Sequence, residues 1–300
     1  MESRTVKAIR IQKYNEPYHV SEVPVPHLEP HQVLVRIKAA GFCHTDLMAL
    51  NGEFGTRLPF IGSHEPAGRI EQVGSQVTGF QKGDRVGCIN FDSVCVKIPD
   101  AMEFKVAAPL MCAGISIYGG IVRANVPQGG SIGIVGIGGL GHIGTQVAKC
   151  MRQLMLDAVA SYEHKPDVSI LATDPVDISQ EKINKAIAGD YPGLDATVLA
   201  TDHPSAFKLA AALTRKHGTM VLLGQPEKGI TMSYHTVIYK DITLISSLIA
   251  DTADAQAFIQ LFHENKLHVE VKEWKLEQAE QMRQEYLTGK SNGKNVIVIH

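Results

Sequence analysis

The sequence has little excess charge of either sign, which limits the partners it can attract. Its 300 residues carry 29 Lys and Arg against 31 Asp and Glu, a formal net charge of -2. This balance provides no broad electric field for nucleic acid or for an acidic membrane surface, so we expect neither as a partner. Small molecules are the partners that remain.

Long apolar runs are also lacking. The opening MESRTVKAIRIQKY is polar, and no unbroken run of about 18 apolar residues occurs, so we expect no signal peptide, no membrane span and a cytoplasmic location. Cysteines are few and scattered, at positions 43, 88, 95, 112 and 150. An odd, scattered set does not suit a disulfide framework but suits reduced thiols that are free to bind metal.

What is present predicts an α/β protein of two domains, since single cores rarely grow beyond about 250 to 300 residues. The first third alternates apolar and polar residues, as in KAIRIQ and VLVRIKA, which predicts short antiparallel strands. From SIGIV at 131–135 onward, buried-strand runs alternate with helical patterns. That alternation predicts a doubly wound parallel sheet of the Rossmann type.

A glycine-rich turn follows the SIGIV strand. Gly136, Gly138 and Gly141 form a GxGxxG pattern, with Gly139 adding to the loop, and the helical pattern HIGTQVAKCM comes directly after it. This is the context in which backbone amides at a helix N-terminus bind a pyrophosphate. We therefore predict that this turn binds the pyrophosphate of a dinucleotide cofactor.

Potential metal ligands occur in three short motifs. GFCHTDL at 41–47 supplies Cys43, GSHEPAG at 62–68 supplies His64 and Glu65, and PLMCAG at 109–114 supplies Cys112. Sulfur and imidazole are the donors that Zn²⁺ prefers, and catalytic zinc sites keep three protein ligands and one open position. Any one of these residues alone is more often a core or surface residue.

The order of motifs is more specific than any single one. GFCHTDL, GSHEPAG, GDRVG, PLMCAG and GxGGxG, in this order, resemble the zinc-containing medium-chain alcohol dehydrogenases, especially their yeast and other fungal members. The resemblance runs from about Lys7 to the end of the chain, with two gaps. It implies a GroES-like catalytic domain over residues 1–117, a Rossmann-type domain over 118–262 and a return to the catalytic domain over 263–300.

The resemblance implies roles at the metal. Cys43, His64 and Cys112 correspond to the three zinc ligands, and Glu65 corresponds to a carboxylate that approaches the metal when the open position is vacated. Asp46 corresponds to the carboxylate that orients the histidine ligand, a common arrangement at zinc. The alternative for Asp46 is an aspartate at a helix start.

Further roles concern the substrate and the cofactor. Thr45 corresponds to the hydroxyl that passes the alcohol proton outward, and His44 to a contact with the cofactor phosphate. Lys294 resembles a basic residue that contacts the pyrophosphate, with a solvated turn lysine as its alternative. Asn51 stands where yeast-type relatives have a histidine that takes up the proton, and an amide cannot do so near pH 7.

The pattern breaks in two places. Relatives carry a lobe after GDRV with four cysteines for a structural zinc, whereas only Cys88 and Cys95 occur here. Two thiols do not complete a tetrahedral site, so we predict one zinc per chain and treat these cysteines as core or strand residues.

The second gap falls after the first helix of the dinucleotide unit. A second strand and its acid are expected about 20 residues past the glycines. Residues 152–166 there are read as helix and loop, and VSILAT at 168–173 is predicted to fill the empty slot in the sheet. Asp174 would then be the ribose acceptor, with a plain turn residue as the alternative.

The leading hypothesis is a zinc-dependent enzyme that transfers hydride between an alcohol and NAD(P), with a primary or secondary alcohol or its carbonyl product as substrate. Gln225, in VLLGQP, replaces an apolar residue of the relatives and suggests a more polar substrate or an altered nicotinamide contact. The ITLISSLI run resembles the edge strand through which relatives dimerise, so we expect a homo-oligomer. Two alternatives stay open: a non-enzymatic oligomer subunit, and a damaged gene copy that accounts for both gaps.

Overall fold

The structure is a computed structural model that describes residues 4–89, 94–127, 129–151, 154–156, 192–289 and 293–300. The strands of these residues are, in chain order, β1 (Thr5–Ile11), β2 (His19–Pro24), β3 (Val33–Phe42), β4 (Phe60–Ile61), β5 (Glu65–Val73), β6 (Arg85–Ile89), β7 (Val94–Lys97), β8 (Ser131–Val135), β9 (Leu154–Leu156), β10 (Leu194–Leu199), β11 (Thr214–Leu222), β12 (Thr243–Ser246), β13 (Val271–Trp274) and β14 (Lys294–Val298).

The α-helices of the described residues are α1 (His44–Asn51), α2 (Phe104–Pro109), α3 (Ile115–Ala124), α4 (Gly141–Cys150), α5 (Pro204–Leu213), α6 (Tyr234–Tyr239), α7 (Thr252–Glu264) and α8 (Ala279–Leu287). A π-helical turn, Leu110–Gly114, connects α2 to α3, and a 3-10 turn, Leu276–Gln278, precedes α8.

The chain forms two compact units, one of residues Met1–Cys112 with Val269–His300 and one of residues Ala113–His268. These limits lie a few residues from the domain limits predicted from the sequence. The first unit contains a six-stranded sheet in the order β13-β14-β3-β5-β6-β7 and a three-stranded sheet in the order β2-β1-β4. All neighbours are antiparallel except β13 and β14.

Side-chain alternation explains why these segments form a half-buried sheet. On β6, Val86 and Cys88 share one face and pack with Ile70 of β5, as the two-residue period of a strand requires. A second apolar cluster joins Ile11 and Phe42 to residues of α1, α8 and β14. The predicted β-rich, GroES-like first domain is confirmed.

The second unit is built on a five-stranded parallel sheet in the order β12-β11-β10-β8-β9. The glycine-rich turn connects the carboxyl end of β8 to α4, as predicted. Gly144 of α4 lies so close to Ile117 of α3 that an added Cβ would stand 2.5 Å from its Cγ1, so the two helices pack almost backbone to side chain. The Rossmann-type doubly wound sheet is confirmed.

One expectation about this sheet is wrong. Residues 152–166 were predicted as helix and loop, but Leu154–Leu156 form β9, which pairs in parallel with β8 through Ser131 opposite Leu154. The edge of a buried strand leaves polar backbone groups that need partners, and even three residues supply them. VSILAT and Asp174, predicted to fill this position, lie outside the described residues.

One helical stretch of the described residues, Phe104–Ala124, is long and apolar enough to cross a bilayer by length and composition. It contains Lys105 and Arg123, so it is not the unbroken apolar run whose absence was noted in the sequence. In its most apolar window, 78% of the residues are buried inside the protein. That burial is typical of a core helix, and the location of the protein stays a prediction.

Candidate metal centre and dinucleotide-binding turn

Cys43 is fixed at the start of α1 by a reciprocal pair of hydrogen bonds. Its backbone is extended, with φ -140° and ψ -172°, and its Sγ accepts from the amide of Thr45 at 3.4 Å. In return, Oδ2 of Asp46 accepts from the amide of Cys43 at 2.9 Å. This is a capping box in which the thiol replaces the usual hydroxyl. The helix start therefore determines where the sulfur lies.

Asp46 also orients His64. The carboxylate is 2% exposed, and its Oδ1 accepts from Nδ1 of His64 at 3.1 Å. The Nδ1 proton then faces Asp46, and Nε2 is directed to Sγ of Cys43 at 3.4 Å. The predicted position of Asp46 at a helix start and its predicted contact with the histidine occur together. A carboxylate on the far nitrogen is what a metal-binding histidine requires.

Glu65 and Lys294 form a fully buried ion pair beside these residues. Glu65 is 0% exposed and Lys294 is 5% exposed, with 3.0 Å between Oε1 and Nζ. Oε2 of Glu65 has no hydrogen-bond partner among the described residues. Gly41, opposite Glu65 on β3, gives the carboxylate room, because a Cβ there would stand 1.9 Å from Oε2. A cation bound here would satisfy this buried carboxylate oxygen.

Cys112 lies in the π-helical turn between α2 and α3. Such turns interrupt the regular hydrogen-bond ladder and often occur at functional sites. The preceding residue, Met111, is 0% exposed and packs on β6, where a Cβ on Gly87 would stand 2.1 Å from its Sδ. Gly87, the second glycine of the GDRVG motif, thus lets β6 approach the turn that carries Cys112.

The four predicted ligands converge in the first unit. One ligand atom from each of Cys43, His64, Glu65 and Cys112 lies within 4.8 Å of the other three. Zinc bonds of about 2.3 Å to sulfur and about 2.1 Å to nitrogen, at tetrahedral angles, place those two atoms about 3.6 Å apart, close to the 3.4 Å between Cys43 Sγ and His64 Nε2. The two thiols, the imidazole and a carboxylate oxygen of Glu65 fit Zn²⁺.

The electrostatics of the group favour a cation. The hydrogen bond with Cys112 lowers the pKa of Cys43 far below its usual value, and the same contact raises the pKa of Cys112. Burial raises the pKa of Glu65 to about 7, although the Lys294 cation opposes this rise. Burial lowers the pKa of His64, but Asp46 and Cys43 outweigh it and raise the pKa to about 11. The raised pKa values of His64 and Lys294 show that the neighbouring carboxylates and the Cys43 thiol make this buried position favourable for positive charge.

Lys294 has a partner in the structure that the sequence did not predict, the carboxylate of Glu65. Its Nζ is buried against Glu65 rather than exposed as in a solvated turn, so that alternative is wrong. Burial lowers the pKa of Lys294, but the carboxylate of Glu65 and the thiols outweigh it and hold the pKa above its ordinary value. The predicted pyrophosphate contact stays a prediction. The ion pair was not foreseen, because nothing in the sequence places positions 65 and 294 side by side.

The other predicted substrate and proton residues lie on or near α1. His44 and Thr45 begin the helix and are half-buried, and Asn51 ends it and is exposed. Gln225 lies in the second unit and is exposed, and its backbone N–H donates to Oδ1 of Asp202 at 2.6 Å. The substrate and proton roles of these residues stay predictions.

The glycine turn has the geometry of a phosphate-binding loop. Gly136 has φ +96°, a left-handed conformation that glycine adopts without strain, and a Cβ there would stand 2.5 Å from Cβ of Thr201. A Cβ on Gly141 would stand 2.0 Å from the carbonyl oxygen of Gly136. Gly138 meets nothing within 4 Å on that side, which leaves space for a ligand to approach the backbone. Gly139 lies in the same turn, and these residues fit the pyrophosphate of a dinucleotide at the start of α4.

Sequence reasoning missed three residues that the structure brings to attention. Gly41 and Gly87 stand in the GFC and GDRVG motifs, and their close approaches to Glu65 and Met111 give the reason for glycine there. Asp157 directly follows β9 in the sequence, where an acid after the second strand is expected. The signal for this strand in the sequence was the apolar triplet LML, which an acid follows directly. Asp157 itself lies outside the described residues.

Comparisons with known proteins agree with this arrangement. Residues 29–131 match a family model described as the alcohol dehydrogenase GroES-like domain, and residues 139–264 match one described as zinc-binding dehydrogenase. An alcohol dehydrogenase of Geobacillus stearothermophilus is 31% identical over 337 aligned positions, which cover 98% of this chain and 100% of the relative. Since the chain has 300 residues, it lacks segments that this relative has.

Solved structures share the fold. The alcohol dehydrogenase of Aeropyrum pernix superposes with a TM-score of 0.82 at 24% identity, over 98% of this chain and 100% of that chain. A CAD from Helicobacter pylori complexed with NADP(H) superposes with a TM-score of 0.79 at 20% identity, over 98% of this chain and 99% of that chain.

Proposed function

The chain belongs to the zinc-containing medium-chain alcohol dehydrogenase family and interconverts alcohols with aldehydes or ketones, and we propose the following roles for its residues in that reaction. Cys43, His64 and Cys112 hold one catalytic zinc ion, and Glu65 is a fourth donor when no substrate is present. The observation that carries the proposal is the convergence of these four ligand atoms within 4.8 Å. A bound zinc ion would lower the pKa of an alcohol hydroxyl and polarise a carbonyl oxygen.

The protein residues supply orientation and proton transfer. Asp46 keeps the Nδ1 proton of His64 on the far side of the ring, so Nε2 remains a lone-pair donor. Oγ1 of Thr45 accepts the proton of the alcohol and passes it outward. Because Asn51 cannot take up that proton, it leaves through water or buffer, and exogenous bases accelerate alcohol oxidation.

One zinc per chain is our proposal for the stoichiometry. Among the described residues, a single group of three or more His, Cys, Asp and Glu has the spacing of a metal site. Cys88 and Cys95 pair with each other across β6 and β7, and two thiols by themselves do not complete a tetrahedral structural zinc site.

The cofactor is a nicotinamide dinucleotide, and we propose that its pyrophosphate lies on the turn of Gly136, Gly138, Gly139 and Gly141. His44 is proposed as a further cofactor contact, and so is Lys294, whose Nζ would then exchange its ion pair with Glu65 for the pyrophosphate. The space beside Gly138 and the left-handed backbone of Gly136 support this placement. Either NAD or NADP fits these residues, and the NADP(H) complex of the Helicobacter pylori protein makes NADP a cofactor to test beside NAD.

We also propose a homo-oligomer that forms through β12. This strand is the edge of the parallel sheet, and Leu244 on it and Leu248 after it are 42% and 70% exposed. An apolar edge strand with unpaired backbone groups favours pairing with a second copy. Light scattering tests this, since Leu244→Lys should lower the assembly state.

A two-part experiment tests the proposed function. When NADH or NADPH is titrated into zinc-loaded protein, the change in fluorescence from quenching or energy transfer should saturate. The protein should also reduce NAD or NADP when primary or secondary alcohols are added. Cys43→Ser should lose zinc and activity but keep dinucleotide binding, because the glycine turn belongs to the other unit. Turnover that survives the loss of zinc would refute the zinc mechanism. Zinc retention with no dinucleotide binding at millimolar cofactor would favour the non-enzymatic alternative.

A further inference from the structure

The hairpin of β6 and β7 carries two cysteines that the proposed reaction does not use. Cys88 and Cys95 are directly opposite each other in the antiparallel register, and their Sγ atoms lie 3.4 Å apart. Cys88 is 5% exposed, and Cys95 is half-buried. Both point to the face of the sheet that packs with Ile70 and Val86. The pair is thus a preformed dithiol of one buried and one half-buried cysteine.

The hydrogen-bond pattern of the hairpin makes Cys88 and Cys95 a pair without backbone hydrogen bonds between them. The amide of Ile98 donates to the carbonyl of Arg85 at 2.9 Å, so Arg85 and Ile98 form a hydrogen-bonded pair. Pairs alternate along an antiparallel ladder. Three steps lead from Arg85 to Cys88, with no shift in register between Val86 and Ile89, so Cys88 and Cys95 form a non-hydrogen-bonded pair.

That position suits a cross-strand disulfide. Non-hydrogen-bonded pairs bring Cα atoms to about 4.5 Å, and disulfides occur at Cα separations from about 4.4 to 6.8 Å. The register already puts both side chains on the same face of the sheet, and their sulfurs are in contact. Rotation about the side-chain bonds therefore brings the sulfurs together without a change in the pairing of the strands.

We propose that Cys88 and Cys95 form a site of reversible covalent modification, a disulfide made by a peroxide or by a small-molecule disulfide. With a peroxide, the thiolate of Cys95 attacks one oxygen, the O–O bond breaks, and hydroxide leaves, to be protonated to water. The resulting sulfenic acid is attacked by Cys88, the S–O bond breaks, a second water leaves and the S–S bond forms. The two thiols lose two electrons and two protons, and the peroxide takes them up. With a small-molecule disulfide, Cys95 attacks one sulfur and releases a first small thiol, and Cys88 then attacks the mixed disulfide at Cys95 and releases the second.

The consequence of the cross-link is a hairpin held closed next to the metal centre. Gly87, adjacent to Cys88, faces the other side of the strand and lies against Met111, which precedes the ligand Cys112. A bond between β6 and β7 restrains the unfolded chain and so stabilises this edge of the sheet. The inference does not depend on the proposed reaction, because neither cysteine belongs to the metal group.

Thiol mapping on the zinc-loaded full chain tests the proposal. With zinc bound to Cys43 and Cys112 as proposed above, hydrogen peroxide or oxidised glutathione should leave three alkylatable thiols of the five after denaturation, and the peptide map identifies the cross-linked pair whether or not zinc is bound. The peptide map should join Cys88 to Cys95 with a mass about two units below the sum of the reduced peptides. A phosphine reductant should restore both thiols. Modification of Cys150 alone, or a cross-link between Cys43 and Cys112 alone, would overturn the proposal.

Two variants make the test specific. Cys95→Ser should form no internal cross-link and gain no thermal stability on oxidation. The matched control, Cys150→Ser, should cross-link like the wild type, and oxidation should raise its unfolding midpoint by a few degrees. Equal midpoints for oxidised wild type and oxidised Cys95→Ser would show that the bond does not hold the hairpin. If Cys95→Ser fails to fold, the peptide map of the wild type decides by itself.

Discussion

Replacing Gly41 by alanine tests how the carboxylate of Glu65 is held at the metal centre. A Cβ at position 41 would stand 1.9 Å from Oε2 of Glu65, whereas real Cβ contacts are not shorter than 3.0 Å. The carboxylate must therefore move by about 1.1 Å or more. It is 0% exposed and bonded to Lys294 at 3.0 Å, so the shift strains a buried ion pair.

The expected cost follows from these numbers. Overpacking a buried position costs about 1–3 kcal/mol, and a shift of about 1 Å stretches the Glu65–Lys294 pair, whose full loss costs about 3–5 kcal/mol. We expect Gly41→Ala to lower the free energy of unfolding by about 2–4 kcal/mol. Zinc affinity should fall about 10-fold or more, since displaced neighbours of metal ligands typically have that effect.

Urea unfolding and competition with a chromogenic zinc chelator measure the two effects. Gly229→Ala is the matched control, because Gly229 is exposed and a Cβ there meets nothing within 4 Å. The control should be neutral or slightly stabilising. If Gly41→Ala keeps the stability and the zinc affinity of the wild type, Glu65 is not confined as described.

Three further predictions concern buried charge, pH and the cofactor. Lys294→Met should destabilise the protein by about 3–5 kcal/mol in urea unfolding, since it leaves Glu65 buried without a cation. Lys294→Arg should restore most of the loss, and equal stability of Lys294→Met and wild type would exclude a stabilising pair. Burial would raise the pKa of Glu280, but hydrogen bonds from Arg283 and other donors lower it to about 2 from 4.5, so its contribution is present above pH 4.5 and lost as the pH falls toward 2. Glu280→Gln should therefore cost about 1–2 kcal/mol at pH 7, after allowance for partial exposure, and roughly half of that or less at pH 3; an unchanged difference would show that the pKa is not lowered. Asp157→Asn should weaken NADH binding in a fluorescence titration while Asp174→Asn does not, because β9 occupies the slot beside β8 and ends just before Asp157; the opposite result would restore Asp174 as the ribose acceptor.

Much of the fold was predictable because its signals are local. Strict alternation gave the strands of the first unit, and the run SIGIV followed by glycines gave β8, its turn and α4. β9 was not predicted, because three apolar residues are too few to show a strand period. They form a strand because they pair with the edge of β8.

The candidate ligands of the metal centre were predictable from the sequence, but the contacts among its buried side chains were not. Cys43, His64, Glu65 and Cys112 stand in motifs, so sequence alone named them. The pairing of Glu65 with Lys294, and the room that Gly41 leaves for it, come from the register of β14, β3 and β5. Registers between strands so distant in the chain have no signature in a single sequence.

The zinc content of the purified protein tests the central claim most directly. Elemental analysis should find one zinc per chain in the wild type, bound by Cys43, His64 and Cys112. A content near zero after purification in zinc-containing buffer would contradict the metal centre. A content near two would contradict the single site and point to a second set of ligands.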